Sequence, residues 1–286
     1  MVIGPGGMLY DLDRTRIDLM NLGNWFRYGH LAAEYGVPLF ALGLGHQSMV
    51  SEIGWDFVTQ SLATARLAVT RDRETASLLV QRLTCPVKAL PDLSVLFDEE
   101  IRDLASSARS GTVLTLCGDF RHVVNVAECL SPILRGKDIN LRFVVQANED
   151  QEGWEVHREN LKALQSPGIE VVDCRNADPM EFCRAIATSD VLITTRFHGM
   201  KVALMAGVDV LTLTHPGDKR ERVRDEIGAI SWARFQPWTR NFHDVAQNVA
   251  EMLARATWDP ARAIRFDRSR FDSLVPMLSS ALAPPK

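Results

Sequence analysis

Short apolar runs alternate along the whole chain with longer segments in which apolar residues recur at helical spacing. The runs have the length of buried strands, and the segments between them have the period of helices packed on a sheet. The predicted strands cover 37–44, 67–70, 87–90, 112–117, 141–147, 169–173, 191–195, 208–213 and 229–235. The predicted helices cover 22–36, 51–64, 73–83, 97–110, 123–134, 154–164, 181–187, 200–206, 241–256 and 261–282. Strands that alternate with helices require parallel pairing and crossover connections, so the pattern predicts an α/β fold.

One strand end carries the clearest candidate chemistry. Arg196, His198 and Gly199 lie between the strand predicted at 191–195 and the helix predicted at 200–206. Open α/β sheets bind ligands at the carboxyl ends of their strands, and a helix start together with a guanidinium favours an anion. A histidine can move a proton near neutral pH. The residues predict an anion-binding acid/base site, but the same arginine could instead cap a helix or pair with a neighbouring acid.

These residues also carry a resemblance to a known family. The run from Arg196 to Gly199, the run Ala203–Val208 and Lys219 resemble the signature of the polysaccharide pyruvyl transferases. Similar landmarks occur in the expected order in the first half of the chain: Gly6–Asp11, Gly36–Leu39, Leu42–Gly45, Thr70–Asp72 and Leu90–Asp92. The resemblance therefore covers most of the chain.

The resemblance implies a GT-B-like architecture of two Rossmann-like domains facing each other. We place an N-terminal, acceptor-side domain at residues 1–105 and a C-terminal, donor-side domain at residues 106–286, whose last helix is expected to pack back on the first domain. Family members usually carry further βα units before the glycine-rich turn at Gly6 and Gly7, and we find none here. The first domain is therefore expected to be shortened, trimmed or completed by a partner.

The implied reaction transfers a pyruvyl group from phosphoenolpyruvate to two hydroxyls of a sugar, which gives a pyruvate ketal and phosphate. The resemblance makes Arg196 and His198 the catalytic pair, with Arg196 holding the anionic donor and His198 as general acid/base. Residues expected to bind substrate are Gly6, Gly7, Arg71, Gly199, His215 and Lys219. Carboxylates that could stabilise an oxocarbenium ion are Asp11, Asp72 and Asp218. We expect no metal and no cofactor besides the donor substrate.

The composition limits the kinds of partner that the protein is expected to bind. The net charge of −4 and the pI near 6.0 provide no basic field for nucleic acid, and the run from Lys219 to Arg224 is interpreted as a solvated helix face. The chain lacks an apolar stretch long enough to span a bilayer, which favours a cytoplasmic location. The five cysteines show no Cys-x-x-Cys pair and are expected to be buried thiols. A lipid-linked acceptor would bring the protein to the membrane periphery, and an unpaired sheet edge near Met1 favours a homodimer.

Two other functions fit the same sequence. A GT-B glycosyltransferase would use Arg196 to hold the diphosphate of a nucleotide-sugar, with Glu149 or Asp150 placed to bind the ribose. A degenerate, non-catalytic family member would explain the absence of the N-terminal units, although the intact Arg196 to Gly199 run argues against it.

Overall fold

The computed structural model describes residues 1–13, 16–17, 19–46, 50–106, 111–121, 123, 126–134, 137–163, 169–214, 220, 223, 233–237, 243–255 and 259–282. The chain divides into two compact units, one formed by residues 1–96 with 266–286 and the other by residues 97–265. Each unit contains helices and a sheet of parallel strands. The predicted α/β class is therefore confirmed.

Thirteen strands and ten helices are numbered here in chain order within the described residues. The strands are β1 (Val2–Ile3), β2 (Gly6–Leu9), β3 (Leu12–Asp13), β4 (Arg16–Ile17), β5 (Leu39–His46), β6 (Ala65–Thr70), β7 (Val87–Ala89), β8 (Thr112–Cys117), β9 (Ile139–Val145), β10 (Ile169–Asp173), β11 (Val191–Thr194), β12 (Asp209–Thr214) and β13 (Ala233–Pro237). The helices are α1 (Met20–Glu34), α2 (Glu52–Ser61), α3 (Arg73–Val80), α4 (Asp98–Ala105), α5 (Val126–Leu134), α6 (Asn148–Lys162), α7 (Pro179–Ala187), α8 (Phe197–Ala206), α9 (His243–Arg255) and α10 (Leu274–Leu282). Three 3-10 turns cover Leu93–Phe97, Pro260–Arg262 and Arg268–Phe271.

The sheet of the first unit runs in the order β1, β5, β6, β7, and β2 pairs with the same strand β5 further along. The glycine-rich start of the chain thus forms two segments of one edge strand. Gly4 joins them with a φ of +118°, and a Cβ on Gly4 would overlap the carbonyl oxygen of Leu42 in β5. Close packing against β5 therefore explains why this position is glycine.

Alternate residues of these strands face two apolar layers, as the pleat of a strand requires. On one face, Leu39 and Ala41 pack with Leu22, Phe26 and the helices around them. On the other face the buried side chains of the sheet pack with the C-terminal residues of the chain; these are Phe40, Leu67 and Val69 with Phe271, Leu274 and Leu278. The last helix, α10, therefore belongs to the first unit. The single helix predicted over 261–282 is in fact two 3-10 turns followed by α10.

The second unit has a parallel sheet in the order β10, β9, β8, β11, β12, β13. Relative to the first strand of the unit this is the order 3-2-1-4-5-6 of the Rossmann fold, in which the direction of winding reverses between β8 and β11. Ligands of such sheets bind beside that reversal, outside the carboxyl ends of the strands. Helix α4 packs against α7 and α8, so the division between the units lies before this helix and not after residue 105.

No helix within the described part of the chain combines the length and the apolar character needed to cross a membrane.

All five cysteines are free, and Cys117 and Cys129 are buried. Burial raises the pKa of the Cys174 and Cys183 thiols to about 11, so they are protonated at neutral pH. The described residues also contain no cluster of three or more histidine, cysteine or carboxylate side chains able to hold a metal ion.

Candidate functional site

The strand-end residues of the second unit lie at the point where its sheet reverses direction. β11 ends at Thr194, and Arg196 is the N-cap of α8, which begins at Phe197. The hydroxyl of Thr194 donates to the carbonyl of Cys117 at 2.7 Å and accepts the backbone N–H of Arg196 at 2.9 Å. The helix thus begins three residues before the predicted start, and Phe197, His198 and Gly199 form its first turn instead of a loop.

Arg196 makes the salt bridge that the sequence left open as an alternative. Its Nη2 and Nε donate to Oδ1 of Asp150 at 2.5 and 3.0 Å. Asp150 is fully buried in the first turn of α6, and its Oδ2 accepts the backbone N–H groups of Gln146 and Ala147 at 3.0 and 3.1 Å. α6 begins at residue 148 and not at the predicted 154, which brings this carboxylate to the strand end. Because Asp150 is fully buried and hydrogen-bonded to Arg196, its carboxylate is not available to a ribose hydroxyl.

Arg196 nevertheless keeps one side accessible. Its side chain is 29% exposed, and no hydrogen bond is made by Nη1 within the described part of the chain. Burial works against the charged form, but the hydrogen bonds to Asp150 outweigh it and raise the pKa of Arg196. The guanidinium is therefore a permanent cation, held along one edge by the protein and open along another.

His198 and Gly199 have different surroundings in the same helical turn. The His198 side chain is exposed, with its ring edge-on to Phe197 at 5.5 Å between centroids. Gly199 is buried, and a Cβ there would lie 2.9 Å from the hydroxyl of Thr194 and 3.5 Å from Sγ of Cys117. Close packing of α8 against the ends of β8 and β11 thus requires glycine at position 199.

The end of β8 adds charged residues that we did not predict for the site. Gly118, with a φ of +148°, brings the chain so close to Thr195 that any Cβ would overlap the threonine hydroxyl. Asp119 then accepts from Nε and Nη2 of Arg121 at 2.9 and 2.8 Å, and Arg121 also pairs with Glu152 at 2.7 Å. Burial raises the pKa of Asp119, but the hydrogen bonds from Arg121 prevail and hold it below its usual value. A Gly-Asp pair after a strand was the available signal.

The position of Arg220 also differs from the prediction. It lies in the run 219–224, which we interpreted as a solvated helix face, but it is buried and its Nη1 donates to the carbonyl of Thr195. The interpretation was wrong at this position, because a run of mostly basic residues does not indicate which of them is buried. The predicted residues His215 and Lys219, and the candidate Asp218, lie outside the described residues.

Comparison with known proteins identifies the family. The family model described as polysaccharide pyruvyl transferase matches residues 1–216. The chain belongs to this family. Its members are named as pyruvyl transferases of polysaccharides, so the family implies an enzyme of polysaccharide biosynthesis. Lys219 lies beyond the matched residues, and no curated protein matches the sequence.

Solved structures show the same fold at low identity. The UDP-GlcNAc 2-epimerase of Methanocaldococcus jannaschii is 12% identical, with a TM-score of 0.56 over 89% of this chain and 74% of the epimerase. HepE of Anabaena, solved with UDP and glucose, is 10% identical, with a TM-score of 0.57 over 88% and 74%. WaaG, a glycosyltransferase of lipopolysaccharide biosynthesis, is 11% identical, with a TM-score of 0.50 over 96% and 84%. These likenesses confirm the predicted GT-B-like fold and carry nothing about substrates.

The other residues predicted from the family resemblance belong to the first unit. Gly6 and Gly7 lie within β2, where Gly6 pairs with Leu44 of β5. Arg71 follows β6, is buried, and places Nη1 at 3.8 Å from Oδ2 of Asp92. The structure thus brings Arg196, His198 and Gly199 together and places Gly6, Gly7 and Arg71 on the other unit.

His46 is the last residue of β5, and it is buried. Its Nδ1 lies 2.8 Å from the hydroxyl of Thr75, and its Nε2 lies 3.3 Å from Oε1 of Glu74. A buried imidazole between a hydroxyl and a carboxylate is held in one orientation, unlike the solvated loop histidine that is the common alternative.

Two of the candidate carboxylates, Asp11 and Asp72, stabilise the N-termini of helices. Asp11 is buried and accepts the backbone N–H of Ser51 at 2.7 Å together with its hydroxyl, and Ser51 is the N-cap of α2. Asp72 is the N-cap of α3 and accepts the N–H of Thr75 at 2.7 Å. Helix capping by itself accounts for both carboxylates.

Proposed function

We propose that this protein transfers a pyruvyl group from phosphoenolpyruvate to two hydroxyls of a sugar in a polysaccharide or its precursor. In this reaction two C–O bonds form at C2 of the donor and the bond from C2 to the phosphate oxygen breaks. One hydroxyl proton ends on the methylene carbon, which becomes a methyl group, and the other leaves with phosphate. Atoms and charge balance without an oxidant or a reductant.

The observation that carries the proposal is the placement of Arg196 and His198 in one helix start beside the reversal of the sheet. Arg196 presents a partly exposed guanidinium, and forked N–H donors match a carboxylate or a phosphate. The positive end of α8 lies at the same place, which adds to the attraction of an anion. Phosphoenolpyruvate carries both kinds of anionic group.

His198 supplies the second requirement of the reaction, which is a group that moves protons. The methylene carbon of the donor must gain a proton, and the attacking hydroxyl must lose one. The His198 side chain is exposed in the first turn of the helix that Arg196 caps, so the two groups belong to the same strand end. We assign His198 the role of general acid/base and Arg196 the role of donor binding.

Calorimetric titration of the purified protein tests the donor. Phosphoenolpyruvate is titrated in parallel with UDP, GDP and CMP, into the wild type and into Arg196→Lys. The lysine variant keeps a cation beside buried Asp150 but loses the planar fork, so it isolates the forked contact. Binding of phosphoenolpyruvate that weakens in Arg196→Lys supports the proposal. Binding of a nucleotide instead would indicate a nucleotide-sugar glycosyltransferase. If none of the four ligands binds, the result would indicate a non-catalytic member of the family.

The remaining parts of the proposal are predictions from the sequence. They comprise a sugar acceptor that is either free or lipid-linked, a cytoplasmic location, and peripheral membrane association when the acceptor is lipid-linked. A homodimer and the lack of a nucleic-acid partner complete this set. The carboxylate that would stabilise the oxocarbenium ion is left unassigned, because Asp11 and Asp72 have the capping contacts described above.

A further inference from the structure

The carboxylate of Asp150 is divided between the backbone and Arg196. Oδ2 accepts two backbone N–H groups from the turn that precedes α6 and also Nε of Arg196 at 3.3 Å, and Oδ1 accepts from Nε and Nη2 of Arg196. The side chain is completely buried, whereas 29% of the Arg196 side chain is exposed. The acid is therefore fixed by the fold, and the arginine is fixed by the acid.

This contact uses only one edge of the guanidinium. An arginine has five N–H groups in one plane, one on Nε and two on each terminal nitrogen. Asp150 takes the N–H of Nε and one of those on Nη2, which leaves both N–H groups of Nη1 and the second one of Nη2. The free N–H of Nη2 and the adjacent N–H of Nη1 form the end-on edge, which can hold two oxygens of a carboxylate or phosphate in parallel.

We propose that Asp150 is a positioning residue for anion binding, which clamps the side edge of Arg196 and so presents its end-on edge to the donor. This role rests on the proposed donor site, because it assigns Arg196 the anionic donor as its partner. Two strands separate the pair in sequence, since Asp150 follows β9 and Arg196 follows β11, with β8 between them in the sheet. The guanidinium is consequently held across the end of β8, beside the reversal of the sheet.

Glu149 competes for the edge that Asp150 leaves open. Its Oε2 lies 3.5 Å from Nη2 of Arg196, and its side chain is 48% exposed. An incoming anion would meet this carboxylate at the same nitrogen and would be repelled by it. Glu149 therefore lowers the affinity of the site, in contrast to Asp150, although the two residues are adjacent and carry the same charge.

Because Asp150 and Glu149 are expected to have opposite effects on anion affinity, variants of the two residues test the inference. Asp150→Asn, Glu149→Gln and the wild type are titrated with phosphoenolpyruvate and, separately, with inorganic phosphate. Asp150→Asn is expected to weaken binding about tenfold or more. An amide has only one accepting oxygen, so it cannot accept from both the backbone and Arg196, and the guanidinium loses its fixed orientation. Glu149→Gln is expected to tighten binding about two- to fivefold, as for an exposed ion pair. The matched control is Asp173→Asn, which removes an exposed carboxylate paired with Arg175 at the end of β10 in the same sheet and leaves binding unchanged.

Steady-state kinetics separate positioning from a general loss of structure. Asp150→Asn is expected to raise the KM for phosphoenolpyruvate more than it lowers kcat, and Asp150→Glu, which keeps the charge but moves it by one methylene, is expected to do the same. A fall in kcat alone, with unchanged KM and unchanged anion affinity, would overturn the positioning role. If Asp150→Asn does not fold, Asp150→Glu and Glu149→Gln carry the test, and wild-type affinity in both would overturn the inference.

The two probes distinguish this inference from the proposed function. Phosphate binding that depends on Asp150, without any binding of phosphoenolpyruvate, would support the positioning role and reject the donor. Binding of phosphoenolpyruvate that is indifferent to Asp150 and Glu149 would support the donor and reject the positioning role. If neither anion binds the wild type, both the positioning role and the proposed donor would be rejected.

Discussion

The guanidinium of Arg71 lies in the space that a side chain at Gly45 would occupy. A Cβ at Gly45, in β5, would overlap Nε and lie 2.7 and 2.8 Å from the carbon and Nη2 of the same guanidinium. Arg71 follows the neighbouring strand β6, and its backbone N–H donates to the carbonyl of Leu44. Glycine at position 45 is therefore the condition for the buried position of Arg71.

The variant Gly45→Ala should displace the Arg71 side chain. Overpacking of a tight site costs about 1–3 kcal/mol, so the free energy of unfolding in urea should fall by that amount. Gly23→Ala is the control, because a Cβ at Gly23 in α1 has no neighbour within 4 Å and alanine should stabilise the helix by about 0.5–1 kcal/mol. If Arg71 binds substrate as predicted, Gly45→Ala should also raise KM. Wild-type stability in Gly45→Ala would show that the guanidinium can move away without cost.

Local signals in the sequence were enough to predict the individual elements. β8 and β10 have the predicted bounds, because each is a short β-rich run between polar residues. The predicted end of α8 at residue 206 is correct, and the next residue, Gly207, has the left-handed φ of +69° at which many helices end. The beginnings of helices were less predictable. α6 starts with six residues that precede its first apolar position, Trp154, so periodicity alone placed its start too late.

The contacts of the site depend on the order of the strands, which a single sequence does not reveal. Asp150 and Arg196 are 46 residues apart and meet only because β9, β8 and β11 are neighbours in that order. Asp150 was noted as a ribose-binding candidate because it is an acid near a strand end, and that position is what makes it the partner of Arg196. Arg220 gave no comparable sign, since its partner is a backbone carbonyl.

Replacement of Arg196 by alanine should affect stability as well as binding. The variant leaves the carboxylate of Asp150 buried without its cation, and such a loss costs roughly 3–5 kcal/mol. Adding Asp150→Asn should recover part of this loss, because a neutral amide is easier to bury than an unpaired charge. Urea unfolding of the two single variants, the double variant and the wild type measures the effect. A double variant less stable than Arg196→Ala would contradict this account of the pair.

Replacement of His198 by alanine should remove activity without affecting the fold. The side chain is exposed, so the free energy of unfolding should change by no more than about 0.5 kcal/mol. Loss of a general acid/base lowers turnover by about 10²–10⁴-fold, while calorimetry should show that donor binding persists. His30→Ala removes another exposed histidine, whose Nε2 lies 3.0 Å from the hydroxyl of Ser61 in the first unit, and controls for nonspecific effects on turnover. Turnover that survives in His198→Ala would exclude His198 as the proton-transfer group.

The stability of the protein should depend on pH through Asp209, the first residue of β12. Burial raises the pKa of this carboxyl above its ordinary value, and Arg262, whose Nη1 lies 3.0 Å from Oδ1, offsets only part of that effect. The folded state therefore holds the proton of Asp209 more tightly than the unfolded state does. By linkage, ionised Asp209 opposes folding; this penalty is absent below the unfolded pKa of about 3.9 and grows as the pH rises through the folded pKa.

Asp209→Asn should remove that dependence. The free energy of unfolding of the variant relative to the wild type should therefore increase between about pH 4 and pH 7, because only the wild type carries the penalty over that range. Urea unfolding at several pH values measures the difference, with Asp173→Asn as the control of opposite sign. Hydrogen bonds from Arg175 hold the pKa of Asp173 down to about 2, so its ionised form favours folding and its contribution disappears only in stronger acid. A constant difference between Asp209→Asn and the wild type over this range would mean that Arg262 compensates fully for the burial of Asp209.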